Sequence, residues 1–218
     1  MVSDVHCAGL SDPTQAQFIE WLGGLDADAL WLLGDVFHWG WTFGGKPQAE
    51  FEPVFEALEK VVERGIPLVF IPGNHDFALA PVFRDRLGAD VDGPHTRVVD
   101  GRRVFLAHGD EPVRSLGYRF LRWWIRGALF RMLMAMLGPD RGTRLVQRFA
   151  GARHPEGQAA AAESMAFLGQ ALTDGADLAV MGHYHRASLD VLDGQGTCVV
   201  LGGGLEGTAW LENGALRV

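Results

Sequence analysis

Five short segments carry side chains suited to holding cations: Ser3-Asp4-Val5-His6, Gly34-Asp35, Gly73-Asn74-His75-Asp76, His108-Gly109-Asp110 and Gly182-His183-Tyr184-His185. Carboxylate oxygens, imidazole nitrogens and an amide oxygen suit Mn²⁺, Fe, Zn²⁺ or Mg²⁺, and no thiolate is needed. Alternate side chains of an extended segment share a face, so Asp4 and His6 are expected to reach one ion together, as are His183 and His185. Asp35 stands alone after its apolar run, with two carboxylate oxygens that could bridge two ions. Five of the eight histidines fall in these segments. Of the other three, His95 and His154 suggest no role. His38 follows Asp35 by three residues and is placed to line the same pocket.

The elements that must position these residues are readable from apolar runs. Residues 30–33, 68–71, 102–107 and 178–181 read as buried strands, and each ends at one of the segments. Residues just past strand ends converge on one edge of an α/β sheet, where ligand sites form. Residues 50–64 place Phe51, Phe55, Leu58 and Val62 at helical spacing, stopped by Gly65. Arg97-Val98-Val99, Asp100-Gly101 and the run from Arg102 read as a hairpin with a tight turn. Residues 113–173 look wholly helical. Four short strand-like pieces follow residues 178–181, punctuated by Asp193-Gly194, Gly202-Gly203-Gly204 and Asn213-Gly214. The pattern is α/β with a β-rich C-terminal third and a helical insertion.

A chain of 218 residues is enough for one domain with a real core, here residues 1–218 with the insertion at about 112–173. A net charge of −8 argues against a general nucleic-acid binder. Cys7 and Cys198 are far apart, which favours a reducing compartment over a disulfide framework. No stretch of 18 uncharged apolar residues spans a membrane. The lead-in to Asp4 leaves no room for a signal peptide, and a start a few residues upstream is expected. The insertion differs sharply from the rest. From 112 to 155 it holds nine arginines and one acid, Asp140, a net +8 in a chain that is negative overall. Trp123, Trp124 and several Met, Leu and Phe residues stand among those arginines. A helix both apolar and basic suits an anionic lipid or a membrane surface. An ordinary helical hairpin packed on the core, or a nucleic-acid patch, are the other readings.

The order D-x-H, G-D, G-N-H-D, H-G, G-H-x-H resembles that of the calcineurin-like metallophosphoesterases, over residues 3–185. The resemblance implies a four-layer αββα sandwich and two divalent metal ions, Mn²⁺ foremost. It implies one metal held by Asp4, His6, Asp35 and His185, and a second held by Asp35, Asn74, His108 and His183. Asn74, His75 and Asp76 would form the catalytic set, with His75 beside the scissile phosphate and oriented by Asp76. Gly34-Asp35-Val36-Phe37-His38-Trp39, Gly73-Asn74-His75-Asp76-Phe77, the helical insertion with Gly117-Tyr118, and Val199-Val200-Leu201-Gly202 resemble the bacterial UDP-2,3-diacylglucosamine hydrolases more narrowly. That family implies hydrolysis of an anionic nucleotide–lipid in lipid A biosynthesis, at the inner face of the cytoplasmic membrane. The candidates for substrate contacts are Arg141, Arg144 and Arg148, three and four apart on one helix face, with Tyr118, Trp123 and Trp124. Two departures stand out. His75 occupies a position where that family commonly has Arg, and Glu111-Pro112-Val113-Arg114-Ser115-Leu116 replaces a polar, acidic run. The rival readings are a phosphoesterase of the same fold acting on a soluble nucleotide, a phosphodiester, a phosphoprotein or a nucleic acid, and a membrane-binding protein with a degenerate metal site.

Overall fold

The computed structural model describes residues 1–113, 115–149, 158–192, 196–212 and 215–217, with backbone alone at 146–149, 158–161, 192 and 215. Arg114, Arg153, His154, the Arg148 side chain and the turns at Asp193-Gly194 and Asn213-Gly214 lie outside it. In chain order the first half runs α1 (Pro13–Gly23), β1 (Leu30–Leu32), β2 (Thr42–Phe43), β3 (Lys46–Pro47), α2 (Glu52–Glu63), β4 (Leu68–Phe70), α3 (Ala80–Leu87) and β5 (Asp90–Val91). The second half runs β6 (His95–Val99), β7 (Arg102–Leu106), α4 (Leu116–Arg126), α5 (Ala128–Phe149), α6 (Gln158–Thr173), β8 (Leu178–Met181), β9 (Ser188–Leu192), β10 (Gly196–Val200), β11 (Trp210–Glu212) and β12 (Ala215–Arg217).

One sheet is parallel, in the order β1-β4-β5, with Val2 bridged in parallel to Leu32. The other is mixed, in the order β6-β7-β8-β10-β9. The β6–β7 hairpin turns on Asp100 and Gly101, both at positive φ (50° and 75°), as a tight two-residue turn requires.

Period-two alternation explains the layers. In the first sheet Leu30, Leu32, Leu68 and Phe70 face helices α1–α3, while Trp31, Leu33, Val69 and Ile71 face the second sheet. In the second, Val104, Leu106, Leu178, Val180 and Val199 meet them, and Ala107, Ala179, Met181, Cys198 and Val200 turn outward. That outer face is covered by Leu168, Ala171 and Leu172 of α6. The result is helix, sheet, sheet, helix. Thus α6, grouped from sequence with the 112–173 insertion, packs on β8 and β10 as the fourth layer. Phe37, Phe55, Phe70 and Phe83 form a buried aromatic stack under the first sheet. Burial of such a side chain contributes roughly 1.5–3 kcal/mol.

Helices α4 and α5 form a separate small core. Ile125, Phe130 and Met134 pack on Trp41, with Trp39, Phe43 and Phe77 around them. Ser115 caps α4, accepting from Tyr118 N–H. Within α5, Gly138 (φ 70°, ψ 178°) and Pro139 break the helix into two segments.

Candidate metal centre

The five segments meet at the ends of β1, β4, β7 and β8. Ligand atoms of Asp4, His6 and His185 lie within 4.8 Å of one another, as do those of Asp35, His108 and His183. Asn74 joins the second group, its Oδ1 3.2 Å from His108 Nε2. Both carboxylates use one oxygen as an anchor and present the other. Asp4 Oδ2 accepts from Ser3 Oγ (2.5 Å) and from His183 N–H (2.7 Å), while Oδ1 faces His185 Nε2 at 3.3 Å and His6 Nε2 at 3.9 Å. Asp35 Oδ1 accepts from His75 N–H (2.8 Å), while Oδ2 faces His108 Nε2 at 3.5 Å and His75 Nε2 at 3.9 Å. The presented oxygens are buried and receive no well-aligned hydrogen bond from the described residues. The His108 ring is fixed from behind, Nδ1–H donating to Leu33 O at 2.8 Å, so Nε2 is the nitrogen turned into the group.

The backbone departs from expectation. Asp4 (φ 55°), His6 (56°), Asp35 (52°), His183 (74°) and His185 (53°) are all left-handed. The segments around Asp4 and His185 are therefore not extended strands. Asp4 and His6 still fall in one group, whereas His183 and His185 turn to different groups, against the expectation that those two reach one ion together. Each left-handed residue costs of order 1–3 kcal/mol and persists only where its surroundings impose it. For Asp4, His6 and Asp35 the ladder Asp4 N–H to Gly34 O, His6 N–H to Asp35 O and Cys7 N–H to Val36 O imposes it, and His183 N–H is held on Asp4 Oδ2. Gly73 has no room for a side chain, since a Cβ there would fall 2.0 Å from Asp35 Oδ1 and 2.6 Å from Asp35 N. Gly73→Ala is expected to displace Asp35 and lower kcat by about 10²-fold, the scale of an ångström-sized misplacement. Steady-state hydrolysis of bis(p-nitrophenyl) phosphate checks this, and wild-type turnover would contradict the contact.

The electrostatics fit cations. Burial opposes ionisation of Asp35, but the imidazoles of His108, His75 and His6 outweigh it and hold the carboxyl below its ordinary range. Burial would lower His108 too, but Asp35 and Asp4 raise it well above its usual value. The carboxylates thus draw positive charge inward. Burial pushes His6 down to about 4, against Asp35 and Asp4, leaving a neutral imidazole whose lone pair can ligate. Stripping cations with EDTA is expected to lower Tm by about 10 °C. A cation at ~1,000 times its Kd adds about 4 kcal/mol, and each kcal/mol moves Tm by roughly 2–4 °C at this size. Calorimetry before and after Mn²⁺ re-addition measures this, and an unmoved Tm would mean that these groups hold no tightly bound cation.

A family model described as calcineurin-like phosphoesterase matches residues 1–187. The chain belongs to the calcineurin-like phosphoesterases. It is therefore a hydrolase of a dimetal family that uses divalent metal ions, and its clustered Asp and His groups suit them. This phosphoesterase is similar to the UDP-2,3-diacylglucosamine hydrolase of Aeromonas salmonicida (strain A449), 30% identical over 231 positions that cover 100% of this chain and 87% of that one. It is also similar to that of Xanthomonas campestris pv. campestris (strain B100), 29% identical over 238 positions covering 100% and 93%. Solved structures similar to it include an archaeal phosphodiesterase (TM-score 0.46, 14% identity, 93% and 81% covered) and a dimetal phosphatase from Danio rerio (TM-score 0.45, 12% identity, 93% and 86% covered).

Around these clustered Asp and His groups of the phosphoesterase, the remaining candidate residues fall in different places. His75 is buried, with Nδ1–H donating to His38 O at 2.5 Å and its ring packed on Trp39 at 4.5 Å between centroids. Its holder is thus a main-chain carbonyl and an indole. Both Asp76 oxygens accept backbone amides instead, from Val36 (2.7 Å) and Gly73 (2.9 Å), and so tie the Asp35 loop to the Gly73 loop. Burial and the neighbouring Asp35 push the Asp76 carboxyl up to about 7. The His38 ring lies 5.8 Å from those of His6 and His75, beside the same pocket, as its position in the sequence suggested. Tyr118 OH donates to Asp110 Oδ2 at 3.2 Å. Trp123 and Trp124 are exposed on the cap, at 68% and 37%. Arg141 and Arg144 are exposed on the second segment of α5, Arg144 Nε donating to Asp140 O. Two cavities beside the cap, of about 590 and 480 Å³, are lined by other arginines, Arg119, Arg122, Arg126 and Arg131. In the sequence these four count among the insertion's nine arginines without being marked as substrate contacts, although Arg119, Arg122 and Arg126 already stand at helical spacing, and Ser3 and Asp110 fall in the ligand segments without either being given a role.

Proposed function

We propose that this phosphoesterase hydrolyses the pyrophosphate of UDP-2,3-diacylglucosamine, releasing UMP and 2,3-diacylglucosamine 1-phosphate. The observation that carries the reading is whole-length similarity to hydrolases of that name, with most of each relative covered. In this reading the chain acts as one domain over 1–218, with α4 and α5 as cap. Asp4, His6, Asp35 and His185 would hold one Mn²⁺, and Asp35, Asn74, His108 and His183 a second. Such a pair supplies an acidified water and a clamp on phosphoryl oxygens. His75, with Nδ1–H committed to His38 O, turns Nε2 to the phosphoryl group and stabilises its developing charge or protonates the leaving oxygen. Asp76 keeps the Asp35 and Gly73 loops in register while this happens.

The cap supports a lipid-facing role. Leu116, Phe120, Leu129, Met132 and Met136 are exposed at 58–80%, among arginines. No helix among the described residues is long and apolar enough to cross a membrane. A peripheral seat on the inner face of the cytoplasmic membrane, through this basic apolar surface, completes the reading. Arg141, Arg144, Arg148, Tyr118, Trp123 and Trp124 are its proposed substrate contacts.

Mass spectrometry of products from UDP-2,3-diacylglucosamine tests it. UMP and lipid monophosphate are expected from the Mn²⁺-loaded wild type and neither from Asp35→Ala. Poor turnover of the lipid beside rapid turnover of a soluble diester would replace this substrate with a soluble one. Loss of all hydrolysis with liposome binding retained would favour the membrane-binding rival.

A further inference from the structure

One buried carboxylate just past the His108 segment, outside both ligand groups, gathers cap side chains around a cavity. Asp110 is 1% exposed and follows His108 by two residues. Besides Tyr118 OH, its Oδ2 lies 3.3 Å from Arg122 Nε and 3.9 Å from Arg126 Nη2, and Arg122 Nη1 donates to its main-chain oxygen at 3.5 Å. Beside it lies a cavity of about 480 Å³, walled by Tyr118, Arg119, Arg122, Trp123 and Arg126, with Glu111 at its edge. The three arginines stand three and four apart, so they share one face of α4.

The acceptors available do not match the donors. Each guanidinium carries five N–H groups and no acceptor. Asp110 Oδ2 is shared by Tyr118 and Arg122, its Oδ1 is buried without a hydrogen-bond partner among the described residues, and Glu111 Oε2 accepts from Gly109 N–H at 2.8 Å. Arg126 Nε has no hydrogen-bond partner among the described residues, and its guanidinium rests over the Phe77 ring at 5.0 Å. Arg119 lines the cavity and is exposed. Three cations therefore face one cavity with two carboxylates between them. Two carboxylates cannot serve all three forks, and a compact anion with several oxygens has the chemistry to pair with them.

We propose that this cavity binds a phosphoryl group other than the one at the metal centre. Arg119, Arg122 and Arg126 donate to its oxygens, and Trp123 offers a flat wall to whatever the phosphoryl group carries. Planar guanidinium forks pair bidentately with phosphate, which a set of lysines would not do. Asp110 holds Arg122 and Arg126 in place and keeps the site from being permanently overcharged. The proposal rests on the phosphoesterase reading for its setting, and not on the lipid substrate.

Isothermal titration of inorganic phosphate into Mn²⁺-loaded full-length protein tests it, with metal content measured on each variant. Two sites are expected in the wild type. In Arg119→Glu and in Arg126→Gln one of them weakens by about tenfold or more, and in Arg119→Lys by less. Arg119→Glu alters an exposed residue, so its result stands even if Arg126→Gln unsettles the cap. A single wild-type site, an adventitious weak signal that all variants retain, or equal weakening of both sites would overturn the proposal. The KM for UDP-2,3-diacylglucosamine then separates the sources. A rise of about tenfold in Arg119→Glu with kcat kept assigns the group to the substrate, and an unchanged KM assigns it to free phosphate. If the lipid is not hydrolysed at all, the substrate reading fails while the phosphate isotherms still decide the cavity.

Discussion

Asp35→Asn is expected to lower kcat/KM by about 10⁴-fold, roughly 5 kcal/mol of transition-state stabilisation, and to reduce bound metal below two ions per chain. The substitution keeps volume and shape, so the fold has no packing reason to change. The amide can keep its oxygen on His75 N–H, where Asp35 Oδ1 sits at 2.8 Å. Its nitrogen then takes the place of Oδ2, which faces His108 Nε2 and His75 Nε2. An atom that presents lone pairs becomes a pair of N–H donors, and one negative charge leaves a buried site. Metal analysis beside hydrolysis of bis(p-nitrophenyl) phosphate in excess Mn²⁺ measures both effects. Two retained ions with near-normal turnover would remove Asp35 from the proposed bridge.

His75→Ala should separate chemistry from metal binding. Turnover is expected to fall by about 10³-fold, within the range typical of a lost general acid or charge-stabilising imidazole, while both ions stay bound. The side chain lies beside the two candidate metal groups, held by His38 O and Trp39, and belongs to neither proposed ligand set. A leaving-group test refines the result. If His75 protonates the leaving oxygen, a p-nitrophenolate ester, which leaves without help, should lose less rate than an alkyl ester. Equal losses on both would leave charge stabilisation as its role, and loss of an ion would make it a ligand.

The strand ends were legible because buried strands announce themselves. Residues 68–71 and 178–181 are continuous apolar runs, and the side chains following such runs do meet in the structure. Asp100-Gly101 was equally plain, since few dipeptides accept two positive φ angles. What periodicity could not reveal is which surface a helix chooses. The Leu168, Ala171 and Leu172 stripe of α6 would suit a cap or a sheet, and only the outward residues of β8 and β10 decide it. Nor could it show who holds a side chain. Asp76 follows His75 directly, yet backbone amides from two loops claim both its oxygens. The excess of arginine in the insertion was visible, but not that Arg122 and Arg126 lean on Asp110, an acid just outside it.

The left-handed conformation of Asp4, His6, Asp35, His183 and His185 bears on redesign. Among residues with a Cβ, Asn and Asp accept that conformation most readily, and β-branched or bulky ones resist it. Exchanging one of these positions for Glu or Cys to court another ion alters the main chain's preferences along with the donor atom. Transplanting the five side chains onto the flat edge of a foreign sheet would likewise lose their convergence. Any graft of this centre has to carry the curled loops as its scaffold.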